Sequence, residues 1–211
     1  MARERVAVIG AGTMGNGIAH VFAQHGHEVV MIDVSEDRLE AAKATISANM
    51  DRQVKKGVLT EEEKAAALGR LTTAVTLEAA EGSGLVVEAV PEHFDLKAEI
   101  LATVGDVVPE GIVASNTSSI SITALAAKTR RPERVIGMHF MNPVPVMKLV
   151  EVIRGLQTAD ETTARVMEIA RDLGKTPVQA NDFPGFVSNR VLMPMINEAV
   201  YCLMEGVADA E

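Results

Sequence analysis

The chain has 211 residues, of which 47% are hydrophobic and 23% charged, and its formal net charge is −9. This composition predicts a globular chain of one large domain, or of one domain with a smaller addition. The acidic balance argues against a nucleic-acid surface, because neutralising phosphates requires a basic stripe. No apolar run reaches the roughly 18 residues of a membrane span, and no secretory signal precedes the first predicted strand. We therefore expect a cytoplasmic protein without a membrane partner, and the single cysteine, Cys202, excludes an internal disulfide.

Strand-like and helical segments alternate along residues 1–181. This alternation predicts an α/β domain of the Rossmann type, with a doubly wound and mostly parallel sheet. The predicted strands are "RVAVI", "HEVVMID", "SGLVVEAV", "GIVASN", "RVIGMHF", "MKLVEVIRG" and "TPVQA". The predicted helices are the segment up to Gly26, Ser35 to Lys56, "TEEEKAAALGRL", "DLKAEILATVGDV", "SITALAAKT" and Asp160 to Leu173.

A Pro/Gly-containing segment, "NDFPGF", interrupts this alternation. From Val187 onward the sequence is apolar with helical spacing, and Pro194 is expected to kink this helix or end a turn of it. We predict that residues 182–211 are a linker and the first helix of a second, all-helical domain.

The first strand and first helix enclose "GAGTMG", a G-x-G-x-x-G motif from Gly10 to Gly15 that includes Thr13 and Met14. Gly10 permits the tight turn, Gly12 allows backbone to approach a pyrophosphate, and Gly15 allows close helix packing. Asp33 ends the next strand, where a carboxylate binds the ribose hydroxyls. The motif predicts an NAD site; Asp33 disfavours the 2′-phosphate of NADP, although the nearby Arg38 keeps that alternative open.

The segment "GMHFMNPVPVMKLVE" places His139 and Glu151 in apolar, strand-like surroundings. By the two-residue period of a strand, Glu151 faces the same way as Leu149 and Ile153, where an unpaired carboxylate is costly. A histidine held by a carboxylate on one ring nitrogen can accept a proton on the other. From the pattern alone, a structural pair and a catalytic pair are equally compatible. The predicted nicotinamide site favours the catalytic pair, because oxidation of an alcohol also requires a base.

Polar residues follow the strand "GIVASN" directly, among them Asn116, Ser118 and Ser119. Ligands of open α/β sheets bind outside the carboxyl ends of the strands, so these residues lie in the predicted ligand zone, although helix capping also explains the serines. Asn189 lies near the start of the last helix, where a lone asparagine is more often a cap or a surface residue than a ligand contact. No metal site is predicted.

Together, "GAGTMGNGIA", "VVEAVPE", "ASNTSS", "HFMNPVPVMKLVEVI" and "DFPGFVSNR" make the chain similar to the 3-hydroxyacyl-CoA dehydrogenases, and most to the short-chain bacterial type. The resemblance implies NAD-dependent oxidation of a short-chain (S)-3-hydroxyacyl-CoA and the reverse reduction. It implies His139 as the catalytic base, Glu151 as its partner, and Ser118 and Asn189 beside the substrate. The further implied contacts are Glu92, Lys97 and Asn142 for the dinucleotide and Lys56 for the coenzyme A phosphates, and Asn49 occupies a position where some relatives carry a coenzyme A-binding serine. Asn116, from its place in the ligand zone, is a further candidate contact of the dinucleotide.

Members of this family continue for several further helices, so the resemblance also implies a homodimer in the full-length form and an apolar surface on "VLMPMINEAVYCLM" here. Three alternatives stay open. The first is a hydroxyacid dehydrogenase of another type, which shares the glycine motif but relies on a lysine. The second is a related sugar-acid dehydrogenase, which shares the His–Glu pair. The third is a truncated NAD-binding protein, which would have little activity.

Overall fold

The computed structural model describes residues 3–210, which form an eight-stranded sheet with helices on both faces. The strand order is β3-β2-β1-β4-β5-β6-β7-β8, and every neighbouring pair from β3 to β6 is parallel. The predicted α/β fold with a mostly parallel, doubly wound sheet is confirmed. The strands are β1 (Val6–Ile9), β2 (Val29–Ile32), β3 (Leu71–Ala74), β4 (Leu85–Glu88), β5 (Ile112–Ser115), β6 (Val135–Phe140), β7 (Leu149–Arg154) and β8 (Thr176–Asn181).

The helices begin and end close to the predicted signals. Ser35 caps one helix through a bond from the Arg38 N–H, and Thr60 and Glu63 form a capping box at the next. The helices are α1 (Thr13–Gln24), α2 (Glu36–Lys55), α3 (Glu61–Gly69), α4 (Phe94–Val107), α5 (Ile122–Ala126), α6 (Asp160–Asp172) and α7 (Ser188–Met204), with short 3-10 helices at Leu77–Ala80 and Pro132–Arg134. None of the helices within residues 3–210 has the length and apolar character needed to cross a bilayer.

Successive side chains of a strand point to opposite sides of the sheet. Since helices cover both sides, the central strands are buried on both faces. In β1, Val6 and Val8 belong to one hydrophobic cluster, whereas Ala7 and Ile9 belong to the cluster on the other face. The continuous apolar runs of the sequence therefore supply two cores at once.

The strand β7 runs antiparallel to β6, and β8 runs parallel to β7. The loop between β6 and β7 is shorter than the dozen or so residues that a crossover to a parallel neighbour requires. The resulting register places His139 directly opposite Glu151. The short loop thus creates the pair on which the sequence prediction depends.

Three local features differ from the sequence prediction. The edge strand β3, with sequence LTTA, was not predicted, since only its first residue is buried. The helix α5 is shorter than "SITALAAKT". The helix α7 continues through Pro194 to Met204 and has no buried residue. Its exposed apolar side chains, including Val191, Met195 and Met204, agree with the predicted apolar surface.

Candidate active site

A cleft of about 880 Å³ lies at the carboxyl ends of β1, β2 and β4. This is the position at which open α/β sheets bind ligands. Its lining includes the motif residues Gly10, Gly12, Thr13 and Met14, together with Asp33 and Arg38 and an apolar wall formed by Val34, Val75, Leu77 and Ile100.

The glycines of the motif fit a dinucleotide. Gly10 has φ +100°, and a Cβ on Gly15 would lie 1.7 Å from the Gly10 carbonyl oxygen, so the strand and helix can meet only without side chains there. A Cβ on Gly12 would meet no atom within 4 Å, so backbone is open toward the cleft at this point. The N-terminus of α1 has neither a side-chain cap nor an acidic residue in its first turn. Its N–H groups are available for the pyrophosphate of NAD.

Asp33 lies where a ribose carboxylate is expected. Its Oδ2 accepts a hydrogen bond from the Ala11 N–H at 2.8 Å, which fixes the carboxylate at the edge of the cleft. The guanidinium of Arg38 lies 3.8 Å from Asp33 Oδ1, and the Arg38 side chain is 70% exposed. The cleft therefore presents one carboxylate and one exposed cation at the ribose end.

His139 and Glu151 form a buried pair across β6 and β7. Their Nδ1 and Oε2 atoms are 2.8 Å apart, and the two residues are 6% and 1% exposed. On its other side, His139 Nε2 lies 3.0 Å from Ser118 Oγ. The imidazole thus joins a buried carboxylate to a hydroxyl at the carboxyl end of β5.

The second oxygen of Glu151 binds the start of α7. Glu151 Oε1 accepts hydrogen bonds from the Val187 N–H at 3.0 Å and the Ser188 N–H at 2.8 Å. Burial raises the pKa of Glu151, but the hydrogen bonds from Ser188, His139 and Val187 outweigh burial and lower the pKa below its ordinary value. Glu151 therefore stays ionised at neutral pH.

The other residues predicted near the substrate gather around Ser118. Asn189, in the first turn of α7, donates to the Ser118 carbonyl oxygen at 3.4 Å. Asn116 Oδ1 accepts from the Phe140 N–H at 2.9 Å, so this side chain braces β6 beside His139. The structure thus brings Ser118, Asn189 and Asn116 together with the His139–Glu151 pair.

Glu92 holds the turn that carries Ser118. Its Oε1 accepts from the N–H groups of Ser118 at 2.9 Å and Ser119 at 3.0 Å, and from the Thr117 hydroxyl. Burial raises the pKa of Glu92, but the bonds from Thr117 and the charge of Lys97 lower the pKa overall.

Lys97 is 1% exposed and does not line the cleft. Its ammonium donates to Glu88 Oε1 at 2.7 Å and lies 3.4 Å from Glu92 Oε2. Sequence reasoning missed Glu88, whose other oxygen accepts from Ser115 Oγ at 2.6 Å. The sequence pattern that could have indicated Glu88 is a glutamate in the apolar strand "LVVE". Glu151 likewise is a glutamate in an apolar strand.

The remaining predicted contacts are Asn142, Asn49 and Lys56. Asn142 is exposed on the loop after β6. Asn49 and Lys56 lie at the C-terminal end of α2 and do not line the cleft, and Lys56 is exposed. Their contacts with the dinucleotide or with coenzyme A stay predictions.

Phe186 was also missed. It has φ +47°, its side chain is buried, and its ring lies against His139, with the ring centroids 5.9 Å apart. Only the adjacent proline and glycine of "DFPGF" indicated that this segment has an unusual backbone.

The fold and the cleft define the class as a Rossmann-type dinucleotide-binding protein. Comparison with known proteins narrows the class. The family model described as "3-hydroxyacyl-CoA dehydrogenase, NAD binding domain" matches residues 5–183, and that of the C-terminal domain of the same family matches residues 185–211.

Two relatives and one solved structure are similar over nearly the whole chain. The probable 3-hydroxybutyryl-CoA dehydrogenase of Bacillus subtilis is 52% identical over 212 residues, covering 100% of this chain and 74% of the relative. The 3-hydroxybutyryl-CoA dehydrogenase of Bradyrhizobium diazoefficiens is 54% identical over 209 residues, covering 99% of this chain and 71% of the relative. The crystal structure of (S)-3-hydroxybutyryl-CoA dehydrogenase from Ralstonia eutropha superposes with a TM-score of 0.95 at 50% identity, covering 98% of this chain and 74% of that one.

The chain therefore belongs to the 3-hydroxyacyl-CoA dehydrogenase family. This confirms the predicted resemblance, the NAD cofactor and the assignment as an NAD-dependent dehydrogenase.

Proposed function

We propose that the protein oxidises short-chain (S)-3-hydroxyacyl-CoA, specifically 3-hydroxybutyryl-CoA, to the 3-oxoacyl-CoA and catalyses the reverse reduction. The substrate is suggested by the names of the relatives at 52% and 54% identity. The observation that carries the mechanism is the position of His139 between Glu151 and Ser118, at 2.8 and 3.0 Å.

In this proposal His139 is the general acid/base. Glu151 accepts the Nδ1–H, which leaves the Nε2 lone pair directed toward Ser118 and the substrate hydroxyl. When the substrate is oxidised, Nε2 takes the hydroxyl proton, and the ionised Glu151 stabilises the imidazolium that forms. NAD, when bound, supplies the acceptor for the hydride from C3. In the reverse direction the imidazolium returns the proton to the carbonyl oxygen.

Ser118 and Asn189 are proposed to orient the substrate. The Ser118 hydroxyl can bond both His139 Nε2 and the substrate oxygen, which aligns the proton that is transferred. Asn189 donates to the Ser118 carbonyl oxygen from the first turn of α7, and this bond keeps its amide beside Ser118. Lys56 is the proposed contact for the coenzyme A phosphates, which suit a cationic side chain, and Asn49 is a further proposed contact of coenzyme A.

Oxidation of NADH with acetoacetyl-CoA tests this function, measured for the chain and for His139→Gln. Loss of the base is expected to lower kcat by about 10² to 10⁴. The matched control His25→Gln changes a histidine at the end of α1, away from the cleft, and should retain the rate. An unchanged rate in His139→Gln would remove His139 from the mechanism. Parallel assays with NADPH and with free acetoacetate test the choice of cofactor and the need for coenzyme A.

We also propose that residues 182–211 belong to a second domain and that the full-length form is a homodimer. The exposed apolar side chains of α7, such as Val191, Met193 and Met195, support a contact surface there. Sedimentation velocity over a concentration series should show self-association of this chain. A monodisperse monomer with full activity would contradict this proposal.

A further inference from the structure

The linker between β8 and α7 has an unusual backbone. Gly185 and Phe186 follow each other with φ +79° and +47°, and Phe186 is the one residue other than glycine with positive φ in the part of the chain that the structure describes. Positive φ suits glycine because glycine has no Cβ, whereas a bulky residue there is an outlier. A conformation of this kind persists only where surrounding contacts enforce it, and such residues cluster at functional sites.

The contacts of Phe186 explain how this conformation is held. The Phe186 N–H donates to the Phe183 carbonyl oxygen at 2.9 Å, and the next turn is closed by the Arg190 N–H, which donates to the Gly185 carbonyl oxygen at 3.0 Å. The Phe186 side chain is 4% exposed. Burial of the ring thus offsets the unfavourable backbone.

The ring is buried against the proposed general base. The ring centroids of Phe186 and His139 are 5.9 Å apart, with their planes inclined at 61°. Glu151 and Ser118 occupy the two nitrogens of the imidazole, so the Phe186 ring closes a side that those partners leave uncovered. We expect an apolar wall there to limit the access of water to the imidazole.

The left-handed turn at Phe186 also directs the residues that follow. The next two N–H groups, of Val187 and Ser188, both donate to Glu151 Oε1. Asn189 then reaches the Ser118 carbonyl oxygen. One residue therefore lies at the point where the chain turns to meet both partners of His139.

We propose that Phe186 is a positioning residue for the His139–Glu151 pair: its ring shields the imidazole, and its positive φ aims the start of α7 at the Glu151 carboxylate. This inference rests on the proposed function, in which His139 is the general base. It assigns to the linker a role in the reaction beyond joining two domains.

Two measurements on the full chain test the proposal. The first is the rate at which diethyl pyrocarbonate modifies His139, followed by mass spectrometry. In the same sample, the exposed His93 serves as the reactive reference and the fully buried His20 reports global unfolding. The second is the separation of kcat from KM for NADH with acetoacetyl-CoA. The modification involves no substrate, so it tests Phe186 even if the proposed reaction fails.

Three variants separate the ring from the backbone. Phe186→Gly relaxes the positive φ but removes the ring, Phe186→Leu keeps apolar bulk without the flat ring, and Phe186→Tyr restores an aromatic ring. Phe183→Leu is the matched control, since Phe183 lies in the same linker with 63% of its surface exposed.

Phe186→Gly is expected to speed the modification of His139 relative to His93, to leave His20 protected, and to lower kcat by up to about 10², because small misplacements of reacting groups cost that much. KM for NADH should change far less than kcat. Phe186→Leu should be intermediate, and Phe186→Tyr should return toward the wild type. If Phe186→Gly kept the wild-type protection of His139 and the wild-type kcat, the proposal would be overturned. Loss of His20 protection in both Phe186→Leu and Phe186→Gly would also overturn it, because the Phe186 ring would then be a general core residue.

Discussion

Two glutamates, Glu88 and Glu151, are buried in apolar strands of the same sheet, at 0% and 1% exposure. Glu88 is bonded by the ammonium of Lys97 at 2.7 Å and by the hydroxyl of Ser115 at 2.6 Å. Glu151 is instead bonded by the imidazole of His139 and by two backbone N–H groups of another element. The two buried glutamates thus differ in their side-chain partner, which is a lysine ammonium for Glu88 and a histidine imidazole for Glu151.

The identity of the partner decides what each pair can do. Glu88 and Lys97 are both buried, and their ion pair is hydrogen-bonded at 2.7 Å, so we infer that they form a static support. That support extends to the reaction site, because Lys97 lies 3.4 Å from Glu92 and Glu92 holds the Ser118 turn. In the proposed function the imidazole of His139 accepts and returns a proton, so we expect the Glu151 pair to take part in the chemistry. We therefore expect that disrupting the Glu88–Lys97 pair affects mainly folding. Disrupting the His139–Glu151 pair is expected to affect mainly catalysis.

The largest effect is expected from Lys97→Met. Removing one partner of a buried ion pair leaves an uncompensated charge and costs about 3–5 kcal/mol. Urea denaturation should show this loss in the free energy of unfolding. Lys43→Met, at an exposed position of α2, is the matched control and should lose little. Equal losses in the two variants would contradict the static role of the Glu88–Lys97 pair.

Glu151→Gln should lower kcat by about 10² or more. The glutamine oxygen can still accept from the Val187 and Ser188 N–H groups, but its NH₂ then faces His139 Nδ1 and forces the opposite tautomer. His139 Nε2 would carry the proton and could not act as a base. The assay is NADH oxidation with acetoacetyl-CoA, with NADH binding measured by fluorescence as a check on folding. If kcat were retained, the carboxylate would be only a structural partner.

The pH dependence of stability provides a third test. Because the folded-state pKa of Glu151 is lowered, the ionised carboxylate stabilises the fold above its ordinary pKa, about 4.3, and this contribution is lost as pH falls through the folded-state pKa. The free energy of unfolding of the wild type should therefore approach that of Glu151→Gln as pH falls below about 4. Urea denaturation of both proteins between neutral and acidic pH measures the difference. A difference that stays constant with pH would contradict the lowered pKa.

The smallest effect is expected at the cleft. Asp33→Asn removes the charge that repels a 2′-phosphate and leaves Arg38 free to bind it. The ratio of NADPH to NADH affinity should rise roughly fivefold or more, since like charges about 4 Å apart repel by about 1 kcal/mol even in water. Fluorescence titrations with both nucleotides measure the ratio. A ratio equal to that of the wild type would show that Asp33 does not select the cofactor.

The sequence predicted the parts of the molecule that depend on local signals. Alternating apolar strands and capped helices indicated the sheet, and the motif from Gly10 to Gly15 indicated the dinucleotide cleft. The edge strand β3 was missed because LTTA has little burial and so lacks an apolar run. The helix α7 continues past Pro194 although a proline inside a helix favours a break.

The pairing of His139 with Glu151 was predictable because both residues contradict their apolar surroundings. The contacts that connect distant segments were not predictable. No local pattern indicates that Glu151 binds the start of α7. Its two partners there, Val187 and Ser188, are separated from it by 36 and 37 positions in the sequence. The orientation of Phe186 depends on tertiary contacts for the same reason. Glu88 carried the same anomaly as Glu151, but the sequence alone did not show that its partner is a lysine on α4.

We propose that Glu151 holds His139 in the tautomer that leaves Nε2 free to accept a proton. The most direct measurement is the ¹⁵N chemical shifts of the His139 ring in the ¹⁵N-histidine-labelled protein near neutral pH, assigned by comparison with His139→Gln. The predicted result is a proton on Nδ1 and a free lone pair on Nε2. A neutral ring with its proton on Nε2 would contradict the account.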